Sequence, residues 1–196
     1  MPRCLPVRAT EDIVHVWRAD LAAAAADGLG DLLCAEELAR AAGIVHERHR
    51  RPWIRSRGVL RALLGRYLDR DPRELRFSLG PHGKPRLETI GSGPGGVDLR
   101  FNLSHSGTLA LYAVTAGREV GVDIECARER YTAEFLREWV AREAAVKCHG
   151  IGLGAPSRGC PADEPWMAEL DVGPGAAAAV AVEGGRCELH RWEWRG

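Results

Sequence analysis

Residues 109–149, LALYAVTAGREVGVDIECARERYTAEFLREWVAREAAVKCH, decide the fold class of this chain. Apolar residues fill 109–114, and apolar residues alternate with small or acidic ones over 120–125, so both segments are predicted to be strands. The short stretch 116–118 contains glycine and is expected to join the two strands in a hairpin.

A helix is expected after this hairpin, from about residue 132 to residue 149, with Gly150 as its C-terminal stop. Further out, the pattern predicts two helices between residues 36 and 68, separated or begun at Pro52. Additional strands are expected at 12–18, 97–103, 166–172, 176–182 and 187–194. Strands and helices in this mixed order favour an α+β fold.

Composition and length describe an ordinary globular chain. With 196 residues, 45% hydrophobic and 28% charged, the chain can bury a core, and these values argue against disorder or a coiled coil. No stretch approaches the roughly 20 apolar residues of a membrane span, and the N-terminus lacks the apolar core of a signal peptide. The six cysteines form no CxxC pair. We therefore expect a cytoplasmic protein with reduced thiols that does not associate with membranes.

Charge is balanced overall but uneven along the chain. The formal net charge is zero, which gives no general attraction to nucleic acid. The segment from Arg40 to Arg66 holds eight arginines against Glu47, a local charge of +7. The chain has only two lysines, Lys84 and Lys147, which raises the question of what a compact ammonium does there that guanidinium cannot.

Two carboxylates two residues apart form the first candidate site. On a strand, Asp123 and Glu125 lie on the same face and are spaced to share a cation. Hard oxygen ligands of this kind suit Mg²⁺, which also binds substrate phosphates. The alternative interpretation is an edge strand with a solvated acidic face.

The following helix carries a second candidate group. Trp139, Glu143 and Lys147 recur at intervals of four and so share one helix face. The alternative is a surface Glu–Lys pair with Trp139 packed beside it. If Glu143 instead faces Asp123 and Glu125, three carboxylates converge, and such a cluster is costly without a metal or protons.

Three other segments have features that could bind an anion. In 100–107, RFNLSHSG, a hydroxyl and the His105 imidazole fit phosphate binding better than a catalytic triad, because no GxSxG elbow is present. A structural histidine at a strand end is the alternative. Lys84, between Gly83 and Pro85, is predicted to lie on a loop where it can bind an anion. The alternative is a solvated turn. The segment 91–96, GSGPGG, is interpreted as a loop because a strand rather than a helix follows.

Together, FNLSHSG, VGVDIE, WVAREAAVK and GKPRL, in this chain context, resemble the Sfp-type 4′-phosphopantetheinyl transferases, and both lysines fall within these motifs. The resemblance runs from about Val14 to the C-terminus. It implies two similar α+β halves related by a pseudo-two-fold axis, expected here as residues 1–106 and 107–196, with the active site between them. A monomer is expected, because one chain supplies both halves.

The resemblance also implies an activity. Such enzymes use Mg²⁺ to move the phosphopantetheine arm of coenzyme A onto a serine of an acyl or peptidyl carrier protein, as a holo-[acyl-carrier-protein] synthase does, and release adenosine 3′,5′-bisphosphate. Asp123, Glu125 and Glu143 match the metal ligands. Glu143 would accept the serine proton, and Lys147 would neutralise or protonate the leaving bisphosphate, a role that suits a titratable amine.

The remaining matches concern coenzyme A and the carrier. The positions implied to contact coenzyme A are Lys84, Ser104, His105 and Arg142, with Arg40 and Arg57 as candidates for its 3′-phosphate. Arg142 stands where the family commonly has lysine. The +7 segment suits docking of acidic carrier proteins.

One departure from the family pattern supports an alternative function. Only 13 residues separate Glu125 from Trp139, where the family usually has a longer stretch with an extra helix and loop. The alternative is therefore a non-catalytic homologue that binds coenzyme A or a carrier protein. A third hypothesis, a Mg²⁺-dependent phosphohydrolase, leaves the lysines and the Ser-His-Ser segment unexplained.

Overall fold

The computed structural model describes residues 9–23, 27–80, 82–88, 98–129, 131–150 and 164–196. Within these ranges the strands are β1 (Ile13–Asp20), β2 (Phe77–Leu79), β3 (Pro85–Leu87), β4 (Leu99–Ser106), β5 (Leu109–Ala116), β6 (Val120–Cys126), β7 (Trp166–Glu169), β8 (Ala176–Val182) and β9 (Glu188–Glu193). The helices are α1 (Ala35–Ala42), α2 (Glu47–Leu68) and α3 (Ala133–His149). The expected α+β class is confirmed, while the segment 91–96 lies outside the described residues.

The strands form two main sheets and one small hairpin. The first sheet has the order β4-β5-β1-β9, in which β1 and β9 are parallel and the other neighbours antiparallel. The second sheet has the antiparallel order β6-β8-β7, and β2 pairs with β3 alone. The first sheet thus takes strands from both sides of the expected division at residue 106. That division and the pseudo-two-fold axis remain predictions.

The core is arranged in four layers, α2, first sheet, second sheet and α3. One face of the first sheet packs on α2, and the cluster there includes Trp17, Tyr112, Val59 and Leu63. Its other face packs on the second sheet through residues such as Val16, Leu111, Val122 and Val180. The far side of the second sheet packs on α3 through Ala179, Ala181, Val140 and Ala144. Within the described ranges, no helix has the length and apolar content needed to cross a membrane.

The predicted hairpin between β5 and β6 is wrong. β5 already pairs with β4 on one side and β1 on the other, so it has no free edge for a third strand. The chain therefore leaves the first sheet after Ala116, and β6 pairs with β8 instead. The tight turn lies one connection earlier, between β4 and β5, where Gly107 adopts a φ of 59° that favours glycine.

The expected helix boundary at Pro52 is also wrong. α2 begins at Glu47 and continues through Pro52 to Leu68, and the break between α1 and α2 lies at residues 43–46. Proline removes one hydrogen bond to the preceding turn. The helix tolerates this loss because the segment that follows, residues 55–65, is buried against the first sheet. By contrast, α3 agrees with its prediction, with Thr132 accepting a hydrogen bond from the amide of Phe135 at its start and Gly150 in the left-handed conformation at its end.

A buried histidine in this core carries a prediction about stability. His15 is 1% exposed, and its Nδ1 lies 2.6 Å from the hydroxyl of Tyr67, which accepts a hydrogen bond from Trp17 at 2.9 Å. Burial, reinforced by His190, lowers the pKa of His15 to about 4. The unfolded chain therefore binds a proton at His15 near pH 6.5, and the folded chain does so only near pH 4.

We expect His15 to make the protein less stable as pH falls from 6.5 to 4, by up to roughly 3 kcal/mol in the free energy of unfolding. Urea denaturation at pH 7 and pH 4 measures this loss. His15→Gln should remove most of it, whereas His46→Gln, which replaces an exposed histidine, should not. An equal loss in wild type and His15→Gln would show that other groups cause the pH dependence.

Candidate active site

The site begins where β6 lies directly against α3. A Cβ atom on Gly121 would lie 2.0 Å from the carbonyl oxygen of Ala144 and 2.4 Å from the amide nitrogen of Cys148, so only glycine fits. Gly121, Asp123 and Glu125 share the face of β6 toward α3, and the alternate residues Val120, Val122 and Ile124 pack between the sheets. The prediction that both carboxylates lie on one face is confirmed.

Asp123 lies at the centre of a compact polar cluster. Its Oδ1 accepts hydrogen bonds from the Lys147 ammonium at 2.6 Å and from the Ser104 hydroxyl at 2.7 Å. Lys147 also donates to Ser104 Oγ at 3.1 Å. Asp123 is only 5% exposed, so the alternative of a solvated acidic face is wrong. Three predicted site residues, from β4, β6 and α3, therefore meet.

The β4 edge of the first sheet is joined to the β6 edge of the second by side chains. The Asn102 Oδ1 accepts a hydrogen bond from the Val122 amide at 3.0 Å. The Ser106 hydroxyl donates to Glu125 Oε2 at 3.0 Å and accepts from the Cys126 amide at 3.0 Å. Sequence reasoning missed Asn102 and Ser106. Their signal was the two-residue period of Asn102, Ser104 and Ser106, which places three polar side chains on one face of β4.

Glu143 is a buried carboxylate beside this cluster. It is 6% exposed, and within the described part of the chain no hydrogen bond reaches its carboxylate. Burial, and next the negative charge of Asp123, raise the pKa of Glu143. The interpretation of Glu143 and Lys147 as a simple surface pair is therefore wrong, because Glu143 is buried and Lys147 bonds to Asp123.

His105 and Arg142 lie at the border of the cluster. His105 follows Ser104 on β4 and keeps an exposed side chain. Partial desolvation, and next the positive charge of Lys147, lower the pKa of His105. Arg142 is exposed on α3, and its charge acts on the neighbouring Glu143 carboxylate. Because His105 alternates with Ser104 and Ser106, its side chain leaves the opposite face of β4.

Lys84 has partners of its own. Its ammonium donates to Glu119 Oε2 at 2.6 Å, to the carbonyl of Val120 at 3.0 Å and to the carbonyl of Cys148 at 3.2 Å. The side chain is 9% exposed. All three N–H groups of the ammonium thus have an acceptor. The contact of Lys84 with a coenzyme A phosphate stays a prediction, whereas the alternative of a solvated turn is wrong because the side chain is mostly buried.

Arg40 and Arg57 meet at an indole ring rather than at the carboxylate cluster. Their guanidinium carbons lie 5.9 and 5.6 Å from the ring centroid of Trp53. Arg57 is 9% exposed, and its Nη1 is buried without a partner among the described residues. Burial lowers the pKa of Arg57. A buried, unpaired cationic donor is costly unless a ligand satisfies it, which makes Arg57 a candidate anion contact.

Three of the eight arginines in the +7 segment, Arg55, Arg57 and Arg61, are buried. Arg61, 1% exposed, pairs with Glu37 at 2.6 Å and donates to the carbonyls of Pro72 and Leu75. Arg55 is 9% exposed, pairs with Asp27 and donates to the carbonyl of Leu21. The charge that this segment presents to a partner is therefore smaller than its sequence count.

A groove with aromatic walls opens beside Glu125. Along α3, the ring of Phe135 stacks on Tyr131 at 4.9 Å and on Trp139 at 6.2 Å. Each of the three side chains is between 36 and 43% exposed, and they line the groove together with Glu125 and Leu136. Trp139 thus faces solvent while Glu143, four residues later, is buried.

Three proteins similar to this chain are named as 4′-phosphopantetheinyl transferases. The chain is 34% identical to the 4′-phosphopantetheinyl transferase HetI of Nostoc sp. over 170 residues, which cover 72% of this chain and 70% of HetI. It is 31% identical to the putative 4′-phosphopantetheinyl transferase slr0495 of Synechocystis sp., covering 64% of this chain and 60% of that protein. It is 25% identical to the 4′-phosphopantetheinyl transferase Sfp of Bacillus subtilis, covering 50% of this chain and 51% of Sfp. No protein-family model matches the chain.

Proposed function

Because the chain belongs to the 4′-phosphopantetheinyl transferase family, we propose that it transfers the arm of coenzyme A to a serine of an acyl or peptidyl carrier protein. The serine oxygen forms a bond to the phosphorus that bears the pantetheine. The pyrophosphate P–O bond breaks, adenosine 3′,5′-bisphosphate leaves, and the serine proton passes to the enzyme. The observation that carries the proposal is the meeting of Ser104, Asp123 and Lys147, with buried Glu143 beside them.

The carboxylates fit a divalent cation by their chemistry. Among the described residues, no three acidic, histidine or cysteine side chains are spaced to enclose a metal ion as they stand. However, both bonds to Asp123 fall on Oδ1 and the bond to Glu125 falls on Oε2, so each carboxylate keeps a second oxygen without a donor in the described residues. Glu143 adds a third carboxylate, and hard oxygens suit Mg²⁺. Asp123, Glu125 and Glu143 would hold the ion, which would neutralise charge on the pyrophosphate.

Glu143 and Lys147 are proposed to handle the protons. Glu143 accepts the proton of the carrier serine, a role supported by its burial and by its lack of a hydrogen-bond donor among the described residues. Lys147 stabilises or protonates the leaving bisphosphate. The Asp123 carboxylate and the Ser104 hydroxyl already fix the Lys147 ammonium, so the cation is positioned before substrate arrives.

The phosphates of coenzyme A are proposed to meet Ser104, His105 and Arg142 near the cluster. Arg57, assisted by Arg40, is the candidate contact for the 3′-phosphate, supported by the unpaired buried Nη1. Phosphoryl transfer depends mainly on positioning and on charge neutralisation, which fixed cations supply.

The carrier protein is proposed to be acidic. Of the basic segment, Arg48 and Arg51 remain exposed at the start of α2, while Arg50 pairs with Glu47. Exposed cations at a helix start attract an acidic partner and raise its association rate. The proposal therefore rests on these surface arginines and not on the whole segment.

The released nucleotide separates the three candidate functions. Coenzyme A and Mg²⁺ are incubated with the protein, with and without an apo carrier protein, and adenosine 3′,5′-bisphosphate is quantified by chromatography. A transferase forms it only when the carrier is present. Formation without the carrier would indicate a phosphohydrolase, and binding of coenzyme A without any product would indicate the non-catalytic homologue.

We expect Lys147→Arg to slow transfer by about 10²-fold, although it keeps the charge, because a guanidinium does not release a proton near neutral pH. Steady-state rates of bisphosphate release provide the measurement. Arg137→Lys, an exchange of the same two residue types at an exposed position of α3, serves as the control. A Lys147→Arg rate equal to that of wild type would show that charge alone is sufficient at this position.

A further inference from the structure

Lys84 is brought into the protein by a turn built for it. Between β2 and β3, the amide of Gly80 donates to the carbonyl of Lys84 at 2.9 Å. Gly83 adopts a φ of 80°, which a side chain would disfavour. Pro85 then begins β3. The turn thus explains the Gly-Lys-Pro sequence and aims Lys84 inward.

The ammonium of Lys84 joins the end of α3 to the start of β6. Its acceptors are the carboxylate of Glu119, just before β6, the carbonyl of Val120 in β6, and the carbonyl of Cys148 in the last turn of α3. The Cys148 thiol also donates to the carbonyl of Glu119 at 3.3 Å. A cation at a helix C-terminus satisfies an unpaired carbonyl and favours the helix dipole.

Glu119 is held by several cations. Besides Lys84, it pairs with Arg86 at 3.2 Å and with Arg100 at 2.8 Å. Burial alone would raise the pKa of Glu119, but Lys84 and the two arginines together lower it. The ionised form of Glu119, which accepts the hydrogen bond from Lys84, is therefore favoured.

The three acceptors explain why this position has a lysine in an arginine-rich chain. They lie at the start of β6 and at the end of α3 and surround the position of Lys84 Nζ. An ammonium directs three N–H groups from this single atom. A planar guanidinium would direct its donors along one fork and is too large for a site that leaves the side chain 9% exposed.

These contacts lie close to the proposed reaction chemistry. Cys148 directly follows Lys147, and Val120 lies three residues before Asp123, so Lys84 joins the same two elements that the Asp123–Lys147 pair joins. Between these two links, Gly121 lets the elements touch. We propose that Lys84 is a positioning residue, which holds α3 on β6 so that Glu143 and Lys147 stay beside Asp123. The inference rests on the proposed transferase function and assigns Lys84 no contact with a phosphate.

The test compares Lys84→Met with Arg86→Met. Both remove one cation that pairs with Glu119 from the same hairpin. Arg86, however, is 49% exposed, and within the described residues it forms no hydrogen bond or ion pair with α3 or β6. The measurements are kcat and KM for coenzyme A in transfer to an apo carrier, the Kd for coenzyme A by calorimetry, and hydrogen exchange of the peptides that cover the end of α3.

A positioning role predicts that Lys84→Met lowers kcat by at least about tenfold, because small misplacements of reacting groups are costly. The Kd for coenzyme A should stay within about twofold, since no phosphate contact is lost. Exchange at the end of α3 should become faster. Lys84→Arg should not restore kcat, and Arg86→Met should leave all three quantities near wild type.

The proposal would be overturned if Lys84→Met lost activity only through a higher Kd for coenzyme A, with unchanged hydrogen exchange at the end of α3. Lys84 would then be a phosphate contact. Unchanged kcat and exchange would overturn the proposal as well. If Lys84→Met does not fold, Glu119→Gln replaces it, because this variant leaves Lys84 its two carbonyl acceptors. Glu119→Gln should show a smaller fall in kcat and a smaller rise in exchange. Values of kcat and exchange near wild type in this variant would contradict the proposal. If wild type transfers nothing, the proposed function fails, while hydrogen exchange still tests the link between α3 and β6.

Discussion

Replacement of Asp123 by asparagine is expected to lower phosphopantetheine transfer by about 10³-fold while the chain still folds. Asp123 supplies the negative charge that holds Lys147 and, in the proposed mechanism, the metal ion. Asparagine keeps an oxygen that can accept the hydrogen bond from Ser104, so the junction between β4 and β6 should survive. Alanine would instead leave the Lys147 ammonium and the Ser104 hydroxyl with a cavity between them.

The measurement is the rate of bisphosphate release at several Mg²⁺ concentrations, together with a thermal unfolding curve. Asp98→Asn is the matched control, because Asp98 is 60% exposed at its side chain and pairs only at the surface with Arg100. Transfer by Asp123→Asn at the wild-type rate would remove Asp123 from the metal site and with it the proposed mechanism.

Gly121→Ala is expected to destabilise the fold by about 3 kcal/mol or more and to abolish most transfer. The new methyl group would lie 2.0 Å from the Ala144 oxygen and 2.4 Å from the Cys148 nitrogen, and both are backbone atoms of a helix that cannot turn aside. α3 must therefore move away from β6, which separates Glu143 and Lys147 from Asp123.

Chemical denaturation and transfer rates test this prediction together. Gly185→Ala makes the same exchange where nothing lies within 4 Å of the new atom, so both quantities should stay near wild type. A Gly121→Ala variant with wild-type stability would mean that β6 and α3 do not pack this closely in solution, and the site geometry would have to be revised.

Local patterns were sufficient for the elements that carry the site. The alternation in β6 predicted which side chains share a face, because a two-residue period follows from strand geometry. The four-residue spacing in α3 was a weaker guide, since Trp139 is 41% exposed whereas Glu143 is 6% exposed. Gly150 predicted the end of α3, because glycine readily adopts the left-handed conformation that stops a helix. What these patterns leave open is whether two faces meet.

Strand pairing lay beyond local patterns. β5 and β6 are separated by a turn of the length typical of a hairpin. However, β5 already has both edges paired, one by the preceding strand β4 and the other by β1, which lies about 90 residues earlier in the chain. Pairing depends on which edges are free once the sheet is assembled. The same holds for Asn102 and Ser106, whose partners on β6 become neighbours only when the two sheets pack.

Charge counts were misleading where arginines are buried. The +7 segment includes Arg61, whose guanidinium is bound to Glu37 and to two carbonyls inside the protein. The contact of Lys84 with a phosphate, implied by the resemblance, stays a prediction, and the sequence did not indicate that Glu119 and two backbone carbonyls accept hydrogen bonds from its ammonium. A sequence shows that a cation is present and not which acceptor the fold places beside it.

Transfer of phosphopantetheine to a carrier protein is measured by intact-mass spectrometry of an apo carrier protein after incubation with this protein, coenzyme A and Mg²⁺. A mass gain of about 340 Da on the carrier, lost when a chelator is added and nearly absent with Asp123→Asn, is the predicted result. No gain on any of several acyl and peptidyl carriers, from a folded protein that binds coenzyme A, would contradict the proposed function.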